Sequence, residues 1–112
     1  MTPRHAISLS GLDERIDQVS PLIDEFTAAD YRELWTSEIN GSDAFAPLLA
    51  AAVSRPWLRL GTAVACVFTR SPALLAMQAL SLAEASEEPV LLGIGASSQA
   101  MVTGWHGASP ST

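Results

Sequence analysis

The sequence predicts an α/β fold: successive βα units around a parallel sheet. Three observations predict it. Four short apolar runs recur, centred near Ile7, Leu34, Leu60 and Leu92 and spaced 27, 26 and 32 residues apart. A helical pattern separates each pair of runs, as expected for parallel strands joined by helical crossovers. Residues 57–98 then spell one complete unit. A strand-like run ends in a polar turn, a Ser-Pro helix start leads an Ala/Leu-rich stretch, and a second run closes in Gly-Ile-Gly-Ala-Ser-Ser.

Each element has a local reason. The first run, His5 to Leu9, is weak. After it Leu12, Ile16, Val19, Ile23 and Phe26 fall at steps of three and four, one face of a helix. Asp13 and Glu14 suit its amino end, where the dipole favours negative charge. Pro21 should kink or restart that helix, with Ser20 as a second cap. The second run, Glu33 to Ser37, opens into a turn over residues 38–43. A nearly all-apolar helix over residues 43–54 follows, expected to be buried on much of its surface, and Arg55-Pro56 ends it. The third run, Trp57 to Val67, is apolar without alternation and suits a central strand covered on both faces. Ser71-Pro72 is an N-cap followed by proline at the first helical position. Leu74, Leu75, Met77, Leu80 and Leu82 populate the helix, and residues 84–89 turn the chain back. The fourth run, Val90 to Ile94, reads as a compact buried strand. Met101, Val102 and Trp105 begin a helix or a loop, and residues 108–112 read as a disordered tail.

Composition narrows the function classes. The 112 residues suffice for one modest domain. With 48% apolar and 16% charged residues the chain is globular, not disordered. A net charge of −6 and six unclustered Lys/Arg exclude an electrostatic footprint for nucleic acid. A single cysteine, Cys66, excludes an internal disulfide framework. No secretory signal or membrane span is expected, and the cytoplasm is the default location. Two histidines and one cysteine far apart give no metal site.

Several residues could carry chemistry, each with a plainer reading beside it. Gly95, Ala96, Ser97 and Ser98 follow the fourth strand. Backbone N–H groups and two hydroxyls there suit a phosphate; a tight turn that needs glycine is the alternative. The pattern is neither a dinucleotide fingerprint nor a P-loop, since the third glycine and the lysine are missing. Glu38 and Asn40 follow the second strand, where they can reach a ligand over the sheet's carboxyl edge or form an exposed polar loop. Val64, Ala65 and Cys66 end the third strand with small side chains, allowing a flat ring to approach or simply close packing. No base is paired with Cys66, so it reads as a small buried hydrophobe. Arg70 offers a cation to an anionic ligand, or is solvated or bonded to a helix end. His106 has no visible orienting carboxylate, and no G-x-S-x-G elbow supports a serine triad.

The strings LWTSEING, LRLGTAVACVFTRSPALLAMQALSLAE and VLLGIGASS, followed by GWHG, resemble the luciferase-like monooxygenase superfamily. The likeness is greatest to its branch of oxidoreductases that use the deazaflavin coenzyme F-420. The matching strings cover roughly residues 31–107. The resemblance implies a (β/α)₈ TIM barrel that binds FMN or F-420 at the carboxyl ends of its strands. It assigns polar contacts near the ring to Ser37, Glu38 and Asn40. It assigns packing against the ring to Val64, Ala65 and Cys66, often at a bulge with a non-proline cis peptide. The ribityl-phosphate arm falls to Gly95, Ala96, Ser97 and Ser98. Family members often carry Thr where Ala96 stands; its loss removes one hydroxyl and leaves the backbone donors.

A (β/α)₈ barrel takes about 250 residues, and this chain has room for four strands. The expectation is therefore the amino-terminal half of a barrel, a single partial domain over residues 1–112. Its function would be hydride transfer between F-420 or FMN and a small organic substrate. Apolar strand edges would be open to pairing with another copy. The alternative reading is a non-catalytic remnant or a small α/β interaction module.

Overall fold

A parallel ladder of four strands in sequential order, β1-β2-β3-β4, organises the computed structural model. The structure describes residues 5–9, 15–39 and 41–109. Strand β1 (Ala6–Ser8) is followed by a 3₁₀ turn (Ile16–Gln18) and helix α1 (Val19–Ala28). Strand β2 (Glu33–Thr36) leads to α2 (Phe45–Ser54), and β3 (Arg59–Cys66) to α3 (Pro72–Ala85). Strand β4 (Leu91–Gly95) precedes a short π-helical segment (Ala100–Trp105). The four-unit parallel α/β reading of the sequence is therefore what the chain adopts.

Sequential order with right-handed crossovers puts all three helices on one face of the sheet. The core lies there: Leu34 and Leu60 from the sheet meet Ile23, Phe26, Leu48, Ala51, Ala52 and Leu82 from the helices. The register is regular from Glu33↔Arg59 to Thr36↔Thr62 across β2 and β3. Between β3 and β4 it slips once, in the stretch from Thr62 to Ala65, where the Ala63–Val64 peptide is cis. The two buried polar side chains of the sheet are both satisfied. The Thr36 hydroxyl donates to the Ala44 carbonyl at 2.6 Å, and the Thr62 hydroxyl to that of Gly93 at 2.8 Å.

Several details differ from expectation. Ser20 is not a cap. It lies inside α1, whose N-cap position is taken by Gln18 without a side-chain bond. Pro21 is the third residue of α1, so its missing N–H belongs to the first turn, where no intrahelical acceptor exists anyway. Leu12, Asp13 and Glu14 lie outside the described residues. Helix α2 buries one face only: Leu48, Ala51 and Ala52 are inside, while Val53 is 73% exposed. Helix α3 runs on to Ala85, so the return turn starts at Ser86 rather than at residue 84. Strand β4 is not buried. It pairs with β3 alone among the described residues, and Leu91, Leu92 and Ile94 are 51%, 41% and 54% exposed. Its composition is that of a covered strand; its position is that of a border. At the carboxyl end, Gly107 (φ +70) and Ala108 close the π-helical segment by donating to Thr103 and Val102.

Candidate functional site

The carboxyl ends of β2, β3 and β4 form one continuous rim, and nine of the ten sequence-predicted site residues are described at or beside it; of these, Ala65 does not face a ligand, its side chain being fully buried in the core. The tenth, Asn40, lies outside the described residues. Parallel strands in register bring Cys66 beside Gly95. The Cys66 thiol faces the Ala96 carbonyl at 3.9 Å, and the Val67 amide donates to the Gly95 carbonyl. Ser37 and Glu38 follow β2 directly. Glu38 reaches across to β3, where its Oε1 accepts the Cys66 amide at 3.0 Å.

Glycine allows the close fit at the end of β4. A Cβ on Gly95 would sit 2.6 Å from Val64 Cγ2, so a side chain there would push Val64 off the strand end. Val64 itself is 39% exposed, and Ala63, Ala96, Ser97 and Ser98 are exposed. Ser97 adopts a left-handed conformation (φ 60), and the Ser98 hydroxyl accepts the Met101 amide at 3.3 Å, capping the segment that follows. The rim thus offers a shelf of small side chains beside a turn bearing two serines. One step inward, the Trp35 indole lies over Gly61, where a Cβ would come within 2.5 Å of the ring. Its Nε1 donates to Glu33 Oε1 at 2.7 Å.

Glu38 is neither an exposed loop residue nor free. Its side chain is only 9% exposed. Besides Cys66, it accepts the Ala44 amide through Oε2 at 2.9 Å and forms an ion pair with Arg70 through Oε1. Burial pushes its carboxyl up, but the Ala44 amide, the Arg70 guanidinium and the Cys66 amide outweigh that and hold it below the ordinary glutamate range. A carboxylate so saturated with donors is suited to fixing geometry and poorly suited to taking up a proton.

Arg70 corrects the sequence reading most sharply. It is neither solvated nor bonded to a helix end. Its side chain is 7% exposed, donates to Gln78 Oε1 at 2.9 Å and lies 5.4 Å from the centre of the Phe45 ring. This cation is occupied inside the protein and is not extended towards a ligand. The signal available in sequence was the spacing: Glu38 and Arg70 both fall just past strand ends, one βα unit apart. Asp43, just before the Ala44 N-cap of α2, accepts the Phe45 and Ala46 amides of its first turn through Oδ2. Cys66 is buried, and its thiol contacts the Ala96 carbonyl rather than a base. His106 stacks edge-on against Trp105 and away from the other predicted groups in sequence.

Comparison with known proteins places these observations in a family. Residues 2–112 match the family model of the luciferase-like monooxygenases. Over 79 residues the chain is 39% identical to a protein of Mycobacterium tuberculosis strain H37Rv, provisionally named a coenzyme F420-dependent oxidoreductase, Rv3520c; the match covers 70% of this chain and 23% of that protein. The fold superimposes, with a TM-score of 0.74 and 22% identity, on the coenzyme F420 dependent tetrahydromethanopterin reductase of Methanopyrus kandleri. That match takes in 88% of this chain and 28% of the reductase. The chain therefore spans about a quarter of the length of both.

Proposed function

This chain belongs to the luciferase-like monooxygenase family, and from that premise we propose that it forms part of an oxidoreductase site for a flavin-type cofactor. The name carried by the 39%-identical relative favours coenzyme F-420 over FMN. The observation that carries the reading is the shared rim. Ser37 and Glu38, Val64 to Cys66, and Gly95 to Ser98 come from three separate strand ends and meet along one edge.

The residues fit such a group. The exposed Ala63, Val64 and Ala96 give a flat ring a floor without bulky side chains. The serine-bearing turn after β4 offers hydroxyls to a phosphate arm. When bound, the cofactor supplies hydride transfer at C5 of a deazaflavin or N5 of a flavin. The chain's own contribution is to seat the ring, exclude water from one face and hold the arm. The substrate would be a small organic molecule. Oligomerisation through the open strand borders remains part of this proposal.

Titrating the chain against F-420 and against FMN, with fluorescence and co-elution as readouts, tests the reading. Saturable binding of either, weakened several-fold in Ser97→Ala/Ser98→Ala, is the expected result. A folded chain that binds neither cofactor overturns it. That result would favour the second reading, a non-catalytic α/β interaction module. Its support is the apolar surface of α3 and β4, where Met77 and Leu80 are 62% and 63% exposed.

A further inference from the structure

We propose that Glu38 is a positioning residue of the rim: it fixes the end of β3 and the start of α2 relative to each other, and Arg70 is its internal counter-ion. For what the rim serves, the proposal rests on the flavin-type reading above. The clamp itself stands on geometry alone.

Three backbone segments converge on one carboxylate. Ala44 opens α2, Cys66 ends β3, and Arg70 lies in the loop between β3 and α3. Ala44 lies six residues from Glu38 along the chain, but Cys66 and Arg70 lie 28 and 32 away, so local hydrogen bonding does not set the position of β3 and its loop relative to α2. The Cys66 amide is the consequential partner. It sits two residues beyond Val64 and pairs in register with Gly95. Anchoring it therefore fixes where the irregular Thr62–Ala65 stretch presents its side chains and how the β4 turn sits beside it. Arg70 is held by the carboxylate, by Gln78 and by the Phe45 ring, so α2 and α3 are tied to the same point. With both Glu38 oxygens engaged, the shelf meets a ligand through small side chains, hydroxyls and amides, not through a free carboxylate. The charged group bonded to Glu38 is Arg70; of the others on the surrounding elements, Asp43 serves the Phe45 and Ala46 amides, Glu33 accepts the Trp35 indole, Arg59 pairs with Glu88, and Glu84 lies near the carboxyl end of α3.

Amide NMR of the isotope-labelled chain tests this. On lowering pH from 7 to 3, the Ala44 and Cys66 signals should move together with one midpoint below the ordinary glutamate range. In Glu38→Gln that shared titration should vanish, and hydrogen exchange at Cys66 should speed up at least tenfold. In Arg70→Met the shared midpoint should rise, which keeps the proposal testable if Glu38→Gln does not fold. F-420 affinity at pH 7 should fall at least tenfold in Glu38→Gln. Separate or absent titration of the two amides in the unmodified chain overturns the clamp. Unchanged F-420 affinity in a Glu38→Gln chain whose Cys66 amide has lost protection overturns its role in shaping the rim. Failure of the unmodified chain to bind F-420 or FMN sinks the cofactor reading and leaves the amide titration to decide the clamp.

Discussion

Glu38 and Arg70 form one ion pair, yet losing them is unequal. Glu38→Ala strands a buried guanidinium and leaves the Ala44 and Cys66 amides without their acceptor. The expected cost is about 3–5 kcal/mol, that of breaking a buried pair from the side that leaves a bare charge. Arg70→Ala leaves the carboxylate its two amide donors, and about 1–3 kcal/mol is expected. Urea unfolding midpoints should rank the two variants in that order; equal midpoints would contradict the assigned bonding. The same residue sets an acid limit. Folding lowers the Glu38 pKa, so its contribution is complete above the unfolded value of about 4.3 and is lost as pH falls through the lowered one. Stability should decline below about pH 4 in the native chain, and less steeply in Glu38→Gln.

At the scale of elements, the two glycines of β4 make a sharper test than the strand's hydrophobicity. A Cβ on Gly93 would run into the carbonyl oxygen of Thr62, which is backbone and cannot turn aside. A Cβ on Gly95 would meet only a methyl of half-exposed Val64. Gly93→Ala should cost about 2–3 kcal/mol and Gly95→Ala about 1 kcal/mol, at the two ends of the range for overpacking. Thermal melts of the pair would reveal the difference, and a reversal would mean that the β3–β4 register is wrong.

Much of this scale was legible in the residues themselves. The Ser71-Pro72 start of α3 was correctly read, with Ser71 Oγ accepting the Leu74 amide at 3.1 Å. Such capping is a contact between near neighbours, and near neighbours are what a sequence displays. The spacing of the four runs gave the strands for the same reason. Four things were not legible. Trp35 lying over Gly61, and Arg70 turning inward to Glu38, depend on which strand ends become adjacent. The exposure of β4 depends on its place at the sheet's border, while its composition speaks only of burial. Ser20 failed as a cap because a 3₁₀ turn already carries the chain into α1.

For the whole molecule, the chain spans about a quarter of the length of the two relatives. The sheet ends on one side at β1 and on the other at β4, and among the described residues neither has an outer neighbour. All four strands point the same way. The three-residue β1 and the five-residue β4 are unlike borders. Copies of the 112-residue chain joining β4 of one to β1 of the next would meet heterologously, head to tail, with no two-fold axis through the joint itself. Such growth has two ends only. Either the curvature brings two copies round into a closed eight-strand ring, or the joints repeat without closing and give fibres. Light scattering across a concentration series should show a plateau at twice the chain mass in the first case and unbounded growth in the second. Charged substitutions at Leu91 and Ile94 should suppress both.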